Sequence, residues 1–395
     1  MRILLVNTLF PPVIKGGAEV STSNLGAALA ARGHDVHVLT ITPDPETVAQ
    51  QNGMTVHRIN PSIVRYPFDH DDRGGAGKLV FHAIDNYNPR MYTRARSLIE
   101  EIRPDIVHTN ILQLLTCSIW FAAKAAGARV VHNLRDYWLL CARSGFFRND
   151  EPCSRKCLDC AIVSSPRRLM TGKVDGVVAV GQYVLDTHLA AKLFPNVKVA
   201  RAILSATDPI EPLQKPSRRA DDPITLGYIG RIKESKGVRV LLEAIRQVPA
   251  ESKVRLLIAG DGDGAYMQTL RALADDRVEF LGWCSPKDFY SRVDVVVVPS
   301  LYPEPLPRTV LEAYRYGLPV IGARSGGIPE VVHDGVTGWL YAPDNVDGLA
   351  ALIRALPGPS GLSKLSSGER DTVVARTNPD YVVKQYEDVY RLALR

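Results

Sequence analysis

Short runs of β-branched and other apolar residues recur along the chain, each separated from the next by a stretch long enough for a helix. They are RILLVN, DVHVLTI, DIVHTN, ARVVHN and GVVAVG in the first half, then ITLGYIG, VRLLIAG, VDVVVVPS and PVIGA in the second. Runs that are apolar at nearly every position suit strands buried on both faces, and covering both faces requires the intervening helices. The expected fold class is therefore α/β, with doubly wound, Rossmann-like domains. The rhythm breaks once, at ILSATDPIEPLQKPSRRADDP (203–223), where proline and charge replace the apolar runs. This divides the chain into a domain over 1–202, a linker over 203–223 and a domain over 224–378, and the apolar spacing of NPDYVVKQYEDVYRLALR predicts a closing helix over 379–395.

A chain of 395 residues is too long for one ordinary core, which agrees with two domains of usual size. No apolar run reaches the roughly 20 residues that span a bilayer. The opening MRILLVNTLFPP reads as a first strand and not as a signal peptide, since its apolar patch stops at Asn7 and no small-residue cleavage site follows. The expected location is cytoplasmic. A formal charge of +6 favours anionic partners without naming one. Nucleic acid is disfavoured as a partner, because the charge is spread out and no helix-turn-helix, zinc-finger or RNP-type signature occurs. One local excess lies between Cys141 and Lys173, where Arg143, Arg148, Arg155, Lys156, Arg167, Arg168 and Lys173 face only Asp150, Glu151 and Asp159. It reads either as a solvated face or as a peripheral contact with the anionic inner face of a membrane.

In open α/β sheets ligands bind beyond the carboxyl ends of the strands, so two facing halves would enclose a cleft and the loops after strands carry the chemistry. After the first strand, Gly16 and Gly17 precede an amphipathic helix, and such a pair exposes backbone N–H groups to a phosphate or forms a plain flexible turn. The first strand of the second half runs into YIGRIKESKG, where Arg231 and Lys236 flank a short loop before another helix. Two cations and a helix N-terminus there suit a diphosphate. VDVVVVPS is followed by LYPEPLP and by the helix RTVLEAYRYG, which puts Glu304 in the loop and Glu312 about one turn into the helix. Two carboxylates suit polyhydroxyl groups, because each accepts several hydrogen bonds. The plainer readings are a helix-capping acid for Glu304 and a solvated helix face for Glu312.

Taken together these stretches resemble the retaining glycosyltransferases of family 4, with the GT-B fold. The resemblance runs almost end to end, through GGAEVSTSNLGAALAARGHDVHVLT, GYIGRIKESKG, LLIAGDGDG, VEFLGW and VVVVPSLYPEPLPRTVLEAYRYGLPVIGARSGGIPEVVHDGVTGWL, to the last helix. Glu304 and Glu312 match the family's E-x7-E signature. The resemblance implies a nucleotide-sugar donor held in the second domain, a glycan, lipid-linked or small-molecule acceptor on the first, and a final helix that crosses back to the first domain. By position it implies that Arg231 and Lys236 hold the donor diphosphate, that Glu304 binds sugar hydroxyls and that Glu312 binds the ribose. The backbone N–H groups of Leu306, Arg308 and Thr309 would face the sugar and distal phosphate, Gly16 and Gly17 would contact phosphate, and His132, at the end of ARVVHN, would approach the sugar. No cofactor is implied for catalysis. In the front-face mechanism proposed for such enzymes the departing phosphate oxygen takes the acceptor's proton. Pro305 and Pro307 depart from the family pattern, and Pro307 has no N–H to offer a donor. SATD at 205–208 departs as well, from the Asn-Gly turn common there. Base and sugar preference would depend on the surroundings of Trp283 and the loop at Gly262.

Cys141, Cys153, Cys157 and Cys160 fall within twenty residues, and their spacing is open to a structural zinc, free thiols or disulfides. Gly260, Gly262 and Ala265 fit G-x-G-x-x-A after a strand, so a dinucleotide-dependent oxidoreductase is a rival reading. Asp261 and Asp263 could mimic a metal-binding D-x-D. A third reading is a non-catalytic sugar-nucleotide-binding module of the same fold.

Overall fold

The computed structural model describes residues 1–61, 75–153, 157–207, 222–362 and 367–395. Most of the expected linker, with Arg155 and Lys156 of the basic cluster, lies outside the described residues. The first ten strands are β1 (Arg2–Val6), β2 (Asp35–Ile41), β3 (Thr47–Gln51), β4 (Met54–Ile59), β5 (Ile106–Thr109), β6 (Arg129–Leu134), β7 (Phe147–Arg148), β8 (Glu151–Pro152), β9 (Gly176–Ala179) and β10 (Val199–Ala202). The last six are β11 (Ile224–Ile229), β12 (Val254–Ala259), β13 (Val278–Gly282), β14 (Val295–Val298), β15 (Val320–Ala323) and β16 (Gly338–Tyr341).

The chain forms two compact units. Met1–Phe146, Ser154–Asp208 and Asn378–Arg395 make the first, and Phe147–Cys153 with Pro209–Thr377 the second. The small hairpin of β7 and β8 thus counts with the second unit although the chain on either side of it belongs to the first, and Phe147 packs against the second unit's core.

In the first unit the sheet order is β10-β9-β6-β5-β1-β2-β4-β3, parallel throughout except for the antiparallel β3–β4 pair at one edge. Its core is the expected set of strand residues, Ile3, Leu5, Val38, Ile106, Val131 and Val178 among them, and burying each such side chain fully contributes about 1.5–3 kcal/mol. The last helix, Pro379–Leu394, closes this core with Val382, Val383, Tyr386, Tyr390 and Ala393. It is fixed by polar contacts too. Tyr390 shares a 2.7 Å hydrogen bond with His108 Nδ1, Tyr386 accepts from Asn133 at 2.9 Å, and Glu387 pairs with Arg32 and His34.

In the second unit six parallel strands run β13-β12-β11-β14-β15-β16. The helix Val238–Gln247 buries Val238, Leu241, Leu242 and Ile245, a helical spacing of one face, against this sheet. The order reverses at β11, which lies between β12 and β14, so the loops that follow β11 and β14 start side by side at the carboxyl edge. That edge is where a ligand of the second unit is expected, and those two loops carry Arg231, Lys236 and Glu304.

Candidate functional site

The loop after β11 is shaped by glycines with backbone angles that other residues rarely adopt. Gly237, at φ 72°, joins the single turn Glu234–Lys236 to the helix Val238–Gln247, and a Cβ there would stand 1.9 Å from the Pro299 carbonyl oxygen. This close approach locks the loop onto the one after β14. Ser235 O accepts from Leu301 N at 2.9 Å and from Tyr302 N at 3.3 Å. The lock sets Lys236 beside Glu304. Lys236 Nζ lies 2.7 Å from Glu304 Oε1 and 3.3 Å from the Tyr302 hydroxyl, over whose ring it also sits.

Glu304 is buried, and its other donors are the hydroxyls of Ser300, at 2.6 Å to Oε1, and Tyr302, at 2.5 Å to Oε2. A buried carboxylate needs such partners, because an unpaired charge is costly to desolvate. It is not a helix cap. The loop after β15 backs it from behind, where Gly327 N donates to Glu304 O at 2.7 Å.

Arg231 is exposed and makes no ion pair among the described residues, and only its backbone carbonyl is engaged, by the Tyr228 hydroxyl at 2.6 Å. Lys233 follows it. Partial desolvation, and then the positive charge of Arg231, hold the Lys233 ammonium below the ordinary lysine value. This edge therefore gathers three cations, of which Lys236 is paired with the buried Glu304, and an anion would relieve their repulsion.

The helix Arg308–Arg315 begins directly after Pro307, which stands one residue outside it in extended backbone. The N–H that Pro307 lacks is therefore not one of the first-turn donors of the helix; those belong to Arg308 and Thr309, while Leu306 lies in the loop before. Glu312 accepts from Arg308 Nε at 2.6 Å and from the Tyr290 hydroxyl at 3.0 Å. It is held in place and is not a loose solvated side chain. Ser300, Tyr302 and Tyr290 have no place in the sequence reading. Tyr302 lies two residues from Glu304 and was open to notice, but Tyr290 comes from the helix Pro286–Arg292, and no local spacing points to it.

The site residues named for the first unit sit differently from expectation. The helix that was to follow Gly17 starts at it, Gly17–Ala31, and Gly16 is its cap residue. Gly16 N donates to Glu19 Oε2 at 2.8 Å, so the helix start already holds a carboxylate of its own. Burial pushes the Glu19 carboxyl above its usual range. His132 lies inside β6 and not beyond its end. It is buried, shares a 2.9 Å hydrogen bond with Thr109 Oγ1 and meets the Trp120 ring edge-on, and burial pushes its pKa down to about 3. The residues that do leave the carboxyl end of β6 are Arg135 and Asp136. Arg135 donates to Asn110 Oδ1 at 2.9 Å and to Ser205 Oγ at 3.3 Å, and its charge is felt by Glu19. The sequence reading passed over it.

The rival motifs are absorbed by local structure. A Cβ at Gly260 would lie 1.9 Å from Gly230 O and one at Gly262 would lie 2.3 Å from Ile232 O, so both glycines serve the packing of neighbouring loops. Asp261 accepts from Gly262 N, and Asp263 caps the helix Gly264–Leu273 through Ala265 N and Tyr266 N. Trp283 is exposed.

Among the described residues no disulfide joins any of the six cysteines. Cys141 and Cys160 are buried with their sulfurs 3.8 Å apart, and Cys157, Asp159 and Cys160 have ligand atoms within 4.8 Å of one another. Cys153, counted with the second unit, is not in that group. Among the described residues no helix is long and apolar enough to cross a membrane. The helix Leu158–Met170 leaves Leu158, Ile162 and Leu169 exposed at 77, 60 and 84 %, on one face by their spacing. Arg167 does not join the basic cluster at the surface. It is fully buried, bonded to Asp85 and the Trp138 carbonyl.

Residues 16–202 match the family model of the glycosyl transferase 4-like domain, and residues 223–357 match that of the glycosyl transferases group 1. A protein of Klebsiella pneumoniae described as an uncharacterized 42.6 kDa protein in cps region is 30 % identical, over 99 % of this chain and all of its own length. The N-acetyl-alpha-D-glucosaminyl L-malate synthase of Bacillus anthracis is 24 % identical, over all of this chain and 98 % of its own. Among solved structures, sucrose-phosphate synthase of Thermosynechococcus elongatus superposes with a TM-score of 0.75 at 22 % identity, covering 99 % of this chain and 98 % of that one. Anabaena HepE in complex with UDP and glucose gives 0.70 at 20 % identity, with 98 % of each chain covered.

Proposed function

The chain belongs to the group 1, GT4-like glycosyltransferases, retaining enzymes of the GT-B fold that draw on a nucleotide sugar, and on that premise we propose that its donor is a UDP-sugar and its acceptor a surface glycan or glycoconjugate. The donor reading is supported by the relative HepE, whose complexes hold UDP-glucose, and the acceptor reading by the relative from a cps region. The observation that carries the site assignment is the pairing of Lys236 with Glu304, in loops of which one also carries the exposed Arg231, at the edge where the strand order of the second unit reverses.

In this reading Arg231 and Lys236 hold the diphosphate, and Glu304 accepts from sugar hydroxyls. Glu312, oriented by Tyr290 and Arg308, takes the ribose. The first-turn N–H groups of Arg308 and Thr309 face phosphate, and the Leu306 N–H faces the sugar. In the transfer, the bond between the anomeric carbon and the phosphate oxygen breaks as the acceptor oxygen bonds to that carbon. The acceptor's proton goes to the departing phosphate oxygen. Negative charge develops on the diphosphate, which is where the two cations act. Gly16 and Gly17 serve a phosphate only by displacing Glu19 from the Gly16 N–H, and His132, neutral and inside its strand, orders the first unit's sheet and moves no proton.

Enzymes of this family generally need no cofactor. The first unit, as the acceptor-binding part, meets an anionic membrane surface through Leu158, Ile162 and Leu169 with Arg143 and Lys173 nearby in sequence, in the cytoplasm.

A thermal-shift panel of nucleotide sugars, followed by transfer assays with the stabilising donor and saccharide extracts, tests this. UDP-sugars are expected to raise the melting temperature by mass action, and NADH is not. A panel in which no UDP-sugar stabilises the chain and another nucleotide sugar does would overturn the donor assignment.

A further inference from the structure

Cys141 ends the turn that follows β6, and Cys157 and Cys160 open the helix Leu158–Met170, with Cys157 as its cap residue. The Cys141 and Cys160 sulfurs are 3.8 Å apart, and the ligand atoms of Cys157, Asp159 and Cys160 lie within 4.8 Å of one another. A disulfide would bring two sulfurs to about 2.05 Å. Four thiolates around zinc, each about 2.3 Å from the ion, stand about 3.8 Å from one another along the edges of the tetrahedron. The Cys141–Cys160 spacing is that of neighbouring ligands of one ion.

Ser144, Phe146, Asn149 and Asp150 all have positive φ, between 50° and 61°, and none is glycine. Among the described residues of this stretch the only regular structure is a pair of two-residue strands. The exposed Arg143–Asp159 pair, at 3.5 Å, spans the same two feet of the excursion but is too solvated to fix them.

We propose that Cys141, Cys157 and Cys160, with Asp159 as the fourth ligand, hold one structural Zn²⁺, which pins together the two feet of the excursion that leaves at Cys141 and returns at Cys157. The proposal stands apart from the transfer reading. Its role is to close a strained loop, and no chemistry passes through the ion.

The test uses the full chain, purified without added zinc or chelator. Elemental analysis is expected to find about one zinc per chain, released as the thiols are titrated with an organomercurial. Cobalt exchanged into the wild-type chain is expected to give thiolate-to-metal charge-transfer absorption. Cys157→Ser and Cys160→Ser are expected to lose the metal, and Cys284→Ser, outside the cluster, to keep it. Should the serine variants fail to fold, the cobalt spectrum of the wild type decides. Wild-type protein without stoichiometric metal, a Cys141–Cys160 disulfide found by mass spectrometry, or a cobalt spectrum lacking thiolate bands would overturn the proposal.

Discussion

Lys236 and Glu304, 68 residues apart in the chain, hold each other at 2.7 Å, so the cation assigned to the donor's diphosphate and the acid assigned to its sugar are paired with each other. The pair keeps a buried carboxylate satisfied and holds the ammonium in place, so that little needs reordering when an anion arrives.

Replacing Lys236 by methionine is expected to cut kcat by about 100-fold or more, with the acceptor KM nearly unchanged, since the lost interaction strengthens as charge develops on the leaving group. It also leaves Glu304 with two hydroxyl donors and no counter-charge, so the melting temperature should fall. The double variant Lys236→Met/Glu304→Gln should regain that stability and stay inactive. Steady-state kinetics and thermal melts check both halves, and normal turnover in Lys236→Met would refute the clamp.

Glu304 and Glu312 are separable by ligand. Glu312→Gln should weaken UDP and UDP-sugar alike, by about 10-fold, as expected for one charge-assisted hydrogen bond. Glu304→Gln should leave UDP binding unchanged and weaken only the sugar-bearing donor. Calorimetric titrations with both ligands decide, and the reverse pattern would exchange the two assignments.

Much of this was legible from residues alone, and the limits have physical causes. Strands such as β1, β6, β11 and β14 are covered on both faces and appear as unbroken apolar runs. The edge strands β3 and β10 were not among those runs, because an edge strand half in water needs no continuous apolar stretch: TVAQQ is almost wholly exposed. The E-x7-E spacing pointed to Glu304 and Glu312, but their partners Ser300, Tyr302 and Tyr290 depend on tertiary placement. His132 looked like a strand-end residue because the apolar run ARVVHN ends in its own neighbour, while the hydrogen-bonded strand continues to Leu134.

Gly326 and Gly335 both have positive φ, at 58° and 74°, and differ in surroundings. A Cβ at Gly326 would lie 2.1 Å from Glu304 O and 2.5 Å from Glu304 N, and one at Gly335 meets nothing within 4 Å. Gly335→Ala should therefore cost about 1 kcal/mol, the backbone term alone. Gly326→Ala should cost about 2–4 kcal/mol and also reduce turnover, because what must move is the backbone of Glu304. Urea unfolding and activity of the two variants check this, and equal losses would mean that Gly326 does not back the site.

Glu387 ties the last helix to the first unit, and its charge gives that tie a pH dependence. Arg32 donates to it at 2.9 and 3.1 Å and His34 lies 3.0 Å away, and these contacts, the Arg32 hydrogen bond first, hold the carboxyl at about 2 against partial burial, which alone would raise it. Below its unfolded value of 4.5 the unfolded chain binds a proton here that the folded chain resists. The stability from Glu387 is thus complete above pH 4.5 and is lost as pH falls from there toward about 2. Other carboxylates with lowered values, such as Asp35 beside Arg2 and Asp275 beside Arg277, add slopes of their own over an overlapping range, so the informative quantity is the difference between wild type and Glu387→Gln. That difference should be largest near neutral pH, about 1–3 kcal/mol for hydrogen bonds to a charged group, and should shrink steadily below pH 4.5. Chemical denaturation of both proteins from pH 7 to pH 3 measures it. A gap that stays constant over the whole range would mean that the helix is held by Tyr386, Tyr390 and their apolar neighbours alone, with no contribution from the charge.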